Sequence, residues 1–354
     1  MTFKQVFLVH ACGLCGNPSW VVAGFDFLRC IPIWNSWLDF YMGVSGFSLF
    51  WSVLHTPGPA DWTAYARRRA WRILPPYYAA MALVVGLIGL YGVRPGAHST
   101  LGVQVLTHLL LVHSLFLDTA TGLIPSFWYI SLEAQFYVIF PFLVGAYRKR
   151  GLWLLAWVTG LSLVYRYLCV ASLSQADLPH QMLPAANILG RCIPFVAGMV
   201  AARVVSACAA GELTWSAARS LACGVSGLLL IHYGGFWSLG TQADWPIGDL
   251  MLGYGFAALM VAVVAWPEGW PSRWLSHPAL LWVGTVSYSL YLVHQSVEMV
   301  VSHEVPPLSP HRMFVVLCTV GLALSLLLAA VFHRFLGQLP TRQSMPRRPS
   351  PSQA

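Results

Sequence analysis

Phe127-Trp128-Tyr129-Ile130-Ser131-Leu132-Glu133-Ala134-Gln135-Phe136-Tyr137 opens an apolar stretch that continues to Tyr147 and holds one carboxylate, Glu133. A run of this length and hydropathy predicts a bilayer-crossing helix, since about 20 apolar residues cover roughly 30 Å of hydrocarbon. A charged side chain at that depth costs roughly 2.5–3.5 kcal/mol even on the gentlest insertion scales. A chain keeps such a group where it is paired, faces a wet cavity or does chemistry. Arg166 and Arg191 also fall in apolar windows, and either is a candidate partner for Glu133; Asp39 and Glu298 are the other acids near membrane depth.

The rest of the chain has the same character. Apolar residues make up 57% of the 354 and charged residues only 9%, with a mean hydropathy of +0.65; a soluble domain carries about a quarter charged residues. Apolar windows recur near residues 3–15, 38–54, 73–91, 101–117, 127–147, 152–173, 185–205, 217–233, 249–266, 280–302 and 313–336. They are continuous rather than alternating, which predicts helices and not barrel strands. The expected fold is therefore an all-α integral membrane protein. Residues 1–340 read as one membrane-embedded domain, and Thr341–Ala354, rich in Pro, Ser and Arg, as a disordered cytoplasmic tail. No basic start followed by a small-residue cleavage site marks a signal peptide.

Charge decides how many windows cross. The net charge of +8 is carried by clusters beside apolar windows, the pattern of orientation signals rather than of a nucleic-acid surface. If window 101–117 dips or lies on the outer surface, Lys4, Arg67–Arg72, Arg148, Lys149, Arg150, Arg203, Arg219, Arg273, Arg334 and the tail arginines all fall inside. Only Arg29, Arg94 and Arg312 then fall outside. The positive-inside rule thus predicts about ten transmembrane helices plus a re-entrant or surface helix, with both termini cytoplasmic. The Cys12-Gly13-Leu14-Cys15 pair lacks the further ligands that a metal site needs, so it reads as packed helix thiols and no metal is expected.

Arg67-Arg68-Arg69-Ala70-Trp71-Arg72 is the strongest basic cluster. Arg69 and Arg72 lie one helical turn apart, so their guanidinia point the same way. Two such forks at a helix N-terminus would suit a phosphate. An orientation cluster explains the charge but not the spacing. His10, alone on an apolar helix, is by itself an ordinary packing residue.

Several separate motifs together resemble the acyltransferase-3 family of multi-pass membrane acyltransferases, which modify carbohydrate hydroxyls at the bacterial cell surface. Asp39-Phe40-Tyr41 with Ser45-Gly46-Phe47 is similar to the second-helix motif. Arg69 and Arg72, followed by Ile73-Leu74-Pro75, fall on an Arg-x-x-Arg. Trp128, Ser131, Glu133, Gln135, Phe136, Tyr137 and Pro141 fall on the family's Trp-Ser-Leu-Ser-x-Glu signature and its continuation, while Arg191, Phe195 and Gly198 match an Arg-x-x-x-Phe-x-x-Gly pattern. Gly284 to Gln295, with Tyr288 and His294, matches a Gly-x-x-Ser-Tyr-Ser-Leu-Tyr-Leu-x-His run, and Val6 to His10 sits where the family carries its first-helix histidine.

The resemblance implies O-acyl transfer, with acyl-CoA, and acetyl-CoA first of all, as co-substrate and no bound cofactor. The implied partners are the lipid bilayer and an extracytoplasmic or lipid-linked glycan such as lipopolysaccharide O-antigen, exopolysaccharide or glucan. The implied place is the inner (plasma) membrane. His10, Glu133 and Ser131 become the expected catalytic residues, with Ser131 and Glu133 on the acceptor side. Arg69 and Arg72 are expected to bind the donor, and Asp39, Ser45, Arg191, Tyr288 and His294 to serve as acceptor or structural groups. Neutral imidazole suits a general base near pH 7. The chain also departs from the family. It starts nine residues before His10, short of the Arg expected eleven before it, which points to a start further upstream or a truncated homologue. Tyr129 replaces a Ser, and Gln338-Leu339-Pro340 replaces Glu-x-Pro. Two other readings compete: a transporter of a polar metabolite lined by Glu133, Arg166 and Arg191, and an inactive homologue that scaffolds polysaccharide assembly.

Overall fold

The computed structural model describes residues 3–22, 25–26, 37–92, 99–173, 187–238 and 245–337. Arg29, Arg94 and the tail from 341 to 354 lie outside them. Apart from a two-residue antiparallel pair, Val21–Val22 with Phe25–Asp26, the described chain is helical. In order it forms α1 (Phe3–Leu14), α2 (Trp37–His55), α3 (Trp62–Tyr91), α4 (Leu101–Leu109), α5 (Leu117–Ala120), α6 (Trp128–Arg150) and α7 (Leu152–Leu173). Then come α8 (Cys192–Ala209), α9 (Ala217–Ser238), α10 (Trp245–Val264), α11 (Trp270–Leu275), α12 (Pro278–Glu304), α13 (Pro310–Val316) and α14 (Leu322–Phe332). A π-helical turn at Leu317–Gly321 joins the last two.

Among the described residues, six helical segments are long and apolar enough to cross a membrane: Trp62–Tyr91, Pro125–Arg150, Leu152–Ser172, Cys192–Ala209, Pro246–Val264 and Pro310–Gly337. Their outward faces are apolar. Trp153, Trp157, Leu161, Val164 and Leu168 form an exposed stripe along α7, which water would not tolerate but lipid does. Window 101–117 breaks up as its histidines foreshadow. The α4 helix has nine residues, about 14 Å of rise and far short of the hydrocarbon thickness. After it, Leu111 adopts a positive φ of 56° and the chain makes a 3-10 turn at His113–Leu115.

Packing between helices rests on small residues, because lipid supplies no hydrophobic drive for helix association. On α2 and α8 the backbones touch: a Cβ at Gly46 would collide with the Phe195 carbonyl, and one at Gly198 with the Gly43 carbonyl. The α9 and α10 helices meet in the same way through Gly227 and Gly255. A buried charge network ties this half together. Arg191 (α8 N-cap) pairs with Asp39 (α2) at 2.8 Å, and Arg166 (α7) with Asp249 (α10) at 2.5 Å. Arg191 also approaches Asp249 at 3.9 Å. The expectation that Arg166 or Arg191 answers Glu133 is thereby corrected: their acids are Asp249 and Asp39, brought to them by the close α2–α8 approach and by α10.

The other half frames a seam. The α3 and α12 helices run parallel, Tyr288 Oη donating to the Ile73 carbonyl at 3.0 Å and, further along, Tyr91 Oη to the Glu304 carboxylate at 2.8 Å. The α1 helix packs on α12 at its far half, with Phe7 and Ala11 buried.

Candidate active site

The arginine end of the seam is built first by a helix start. Asp61 caps α3, its carboxylate accepting from the Ala64 N–H at 2.9 Å. The helix therefore begins at Trp62, and Arg69 and Arg72 sit two to three turns inside it. The predicted helix N-terminus beside these arginines is corrected: their forks act without the dipole end, because the Asp61 cap draws the helix past the basic cluster. Arg69 lies over the rings of Tyr65 (5.8 Å) and Tyr137 (5.5 Å), in the range where ring faces attract cations. Its Nε is buried without a hydrogen-bond partner, an open donor that a ligand oxygen could fill. Arg72 is exposed and lies within electrostatic range of both Tyr137 and Tyr288.

Glu133 belongs to this end. Its Oε1 accepts from Tyr137 Oη at 2.5 Å and from Ser45 Oγ at 3.2 Å, and Tyr65 Oη donates to the Tyr137 carbonyl at 3.2 Å. The side chain is half-buried. Two hydroxyl donors thus hold the carboxylate, and one of them, Tyr137, lies within electrostatic range of Arg69 and Arg72 as well.

Ser131, two residues earlier on α6, faces elsewhere. It is fully buried, donates to the Leu111 carbonyl at 2.6 Å and shares a hydrogen bond of 2.8 Å with Ser114. Gln135 Nε2 donates to Ser114 Oγ at 3.1 Å. This group pins α6 to the broken 101–117 segment. There His108 and His113 stack at 3.8 Å with 3° between their planes, and His113 Nε2 donates to the Phe127 carbonyl at 3.0 Å.

Beyond Tyr288 the seam reaches the histidines. The His10 and His294 rings lie 5.3 Å apart, tilted by 49°. His294 is fully buried and its Nδ1 contacts the Tyr291 carbonyl at 2.7 Å. A carbonyl can only accept, so the proton sits on Nδ1 and Nε2 carries the lone pair. Tyr291 Oη donates to the Ser126 carbonyl at 2.5 Å, and the Ser126 N–H to Gln295 Oε1 at 2.9 Å. These bonds lock the start of α6 against α12. Tyr129, where the family pattern has Ser, donates to the Leu38 carbonyl at 3.2 Å and joins α6 to α2 instead.

The structure thus brings together Arg69, Arg72, Glu133, Ser45 and Tyr288 at one end, and His10 with His294 further along. Asp39 and Arg191 form the ion pair behind them, and Ser131 anchors the short segment. A family model described as an acyltransferase domain matches residues 6–332, nearly the whole chain. The chain belongs to the acyltransferase-3 family. Membership makes it a membrane acyltransferase, in keeping with its apolar helices. No curated protein and no solved structure matches it.

For an acyltransferase-3 protein the charge network is the part that sequence reasoning missed. Asp249 stands at the edge of an apolar window, and two arginines at membrane depth require two acids nearby. That rule could have singled Asp249 out. Tyr65, which supports Arg69, carries no sequence signal beyond being aromatic, while Tyr137, which holds Glu133, falls in the α6 motif.

Proposed function

We propose that the protein moves an acyl group from acyl-CoA, loaded from the cytoplasm, to a hydroxyl of an extracytoplasmic or lipid-linked glycan. In this reading it lies in the inner (plasma) membrane with about ten crossings, the short α4 segment dipping, and both termini cytoplasmic. The supporting observation is the seam itself: a guanidinium pair with an unfilled donor at its α3 end and, further along α12, an imidazole pair where α1 packs on that helix. Phosphates cannot enter hydrocarbon, but a thin neutral arm can.

Arg69 and Arg72 would hold the donor phosphates, with the Tyr65 and Tyr137 rings fixing Arg69. Glu133, held by two hydroxyls, keeps the arginines in place by charge and bounds the donor. His10 would take the proton of the acceptor hydroxyl as its oxygen attacks the thioester carbonyl. The C–S bond then breaks, and the proton passes from imidazolium to the leaving thiolate, giving ester and free thiol. His294, its tautomer set by Tyr291, orients His10. Asp39 and Arg191 position α2 and α8.

The transporter reading loses support here, since Arg166 and Arg191 are tied to Asp249 and Asp39 and do not line a path with Glu133. Membrane vesicles given labelled acyl-CoA and candidate glycans test the proposal. Transfer should fall by about 10²–10⁴ in His10→Ala, the usual contribution of a general base. Transfer unchanged in that variant would remove the mechanism. Arg69→Ala with Arg72→Ala should weaken acyl-CoA binding, and undiminished affinity would remove the donor site.

A further inference from the structure

A half-open cavity of about 320 Å³ lies at the far end of the same seam, lined by Leu14 of α1, Val84, Leu87 and Ile88 of α3, and Met299 of α12, with the polar Tyr91, Ser302 and His303 also on its wall. That is the small end of the range for small-molecule sites. A sugar needs many hydrogen-bonding groups around it, and most of this wall is apolar. Its most buried polar side chain with an open valence is Ser296, 2% exposed, whose Oγ has no hydrogen-bond partner. Gln295 also lines it, but its carbonyl oxygen is taken by the Ser126 N–H. The space fits a hydrocarbon chain with one polar atom near Ser296.

Its position says which chain. On α3, Arg69, Ile73, Ala80, Val84, Leu87 and Tyr91 recur at helical spacing and form one stripe. The cavity therefore lies on the face that carries Arg69. Val84 is about 18 Å along the axis from Arg72 at 1.5 Å per residue. On α12 the stripe runs from Tyr288, beside Ile73, through Gln295 and Ser296 to Met299. The histidines stand between the two ends. His294 stands against His10, and Leu14, which lines the cavity, is one turn beyond His10 on the same face of α1. A thioester whose phosphates sit on Arg69 and Arg72 and whose carbonyl sits by His10 has its remaining carbons directed at this cavity.

We propose that the cavity seats the acyl chain of the donor beyond its carbonyl, so that the transferred group is longer than acetyl. This rests on the reading of Arg69 and Arg72 as the donor's phosphate site, and it replaces the acetyl group that the family resemblance implied. At roughly 30 Å³ for each water-sized group, the volume holds about ten heavy atoms.

The test is binding of acetyl-, butyryl-, hexanoyl- and octanoyl-CoA to the purified full chain in detergent. Affinity should rise about fourfold per added methylene, the transfer value of about 0.8 kcal/mol, until the cavity is full. Val84→Phe should collapse the ratio of octanoyl- to acetyl-CoA affinity by tenfold or more. Leu87→Ala, which enlarges the cavity, should move the optimum to a longer chain and guards against misfolding of the first variant. Acetyl-CoA binding with no dependence on chain length overturns this proposal and leaves the donor reading standing. Failure of every thioester to bind overturns both. Octanoate bound in a Val84→Phe-sensitive way, without competition from octanoyl-CoA, would give the cavity to the lipid part of an acceptor and also overturn it.

Discussion

Asp39→Asn is the most informative single change in the buried charge network. Wild type holds two acids and two arginines: Asp39 with Arg191 at 2.8 Å, Asp249 with Arg166 at 2.5 Å, and a 3.9 Å link from Arg191 to Asp249. The amide keeps the shape but leaves one positive charge in excess where the Asp39 side chain is 5% exposed. Removing one partner of a buried pair costs about 3–5 kcal/mol. The low end applies here, about 3 kcal/mol. Asp249 still reaches Arg191, the Arg191 side chain is 22% exposed, and the amide oxygen still accepts one hydrogen bond. Arg191→Met alone should cost a similar amount through unpaired Asp39. The double variant leaves the Arg166–Asp249 pair intact and should recover most of the loss, with a coupling of about 2 kcal/mol or more. Thermal unfolding in detergent can be followed by tryptophan fluorescence and by maleimide labelling of Cys192, which is buried beside Arg191. If the double variant is as unstable as the sum of the singles, the two residues are not a pair and the network reasoning is wrong.

Three further outcomes follow from individual contacts. Gly198→Leu should abolish folded yield, since its side chain would displace the α2 backbone, while Gly86→Ala, with open space around it, should be neutral or slightly stabilising; equal yields would refute the close approach. Tyr137→Phe should weaken acyl-CoA binding by about two- to tenfold through the lost hydrogen bond to Glu133. Tyr137→Leu should weaken it further by removing the ring under Arg69, and the reverse order would refute this support. Outside the crossing helices, burial lowers His113 to about 4 and His108 to about 3, the latter also through His113. The unfolded state then binds more protons below its usual value of about 6.5, so stability is present above that pH. It falls between there and about pH 4 by up to roughly 1.4 kcal/mol per pH unit for each histidine. His108→Gln with His113→Gln should flatten that acid limb in fluorescence melts, and an unchanged limb would refute the assignment.

Much of the fold was legible because the bilayer is a simple solvent. It demands long apolar runs, forbids open backbone, and leaves the broken 101–117 window too polar and too short to cross. The motif residues were equally visible: the Arg69/Arg72 spacing, Glu133 in its apolar run, His10 and His294. Most of their partners were not. Sequence distance hides Asp249 from Arg166 and Ser45 from Glu133, whereas Tyr137, one helical turn from Glu133 and within its motif, was within reach of a local reading.

Taken alone, the chain determined that its helices lie in lipid and which ionisable groups accompany them, because transfer free energy is a sum over local residues. Tertiary structure decided which charges cancel one another and which stay open to a ligand. It did so through a few close helix approaches, at Gly46, Gly198 and the parallel α3–α12 seam, whose geometry depends on packing between residues far apart in the chain.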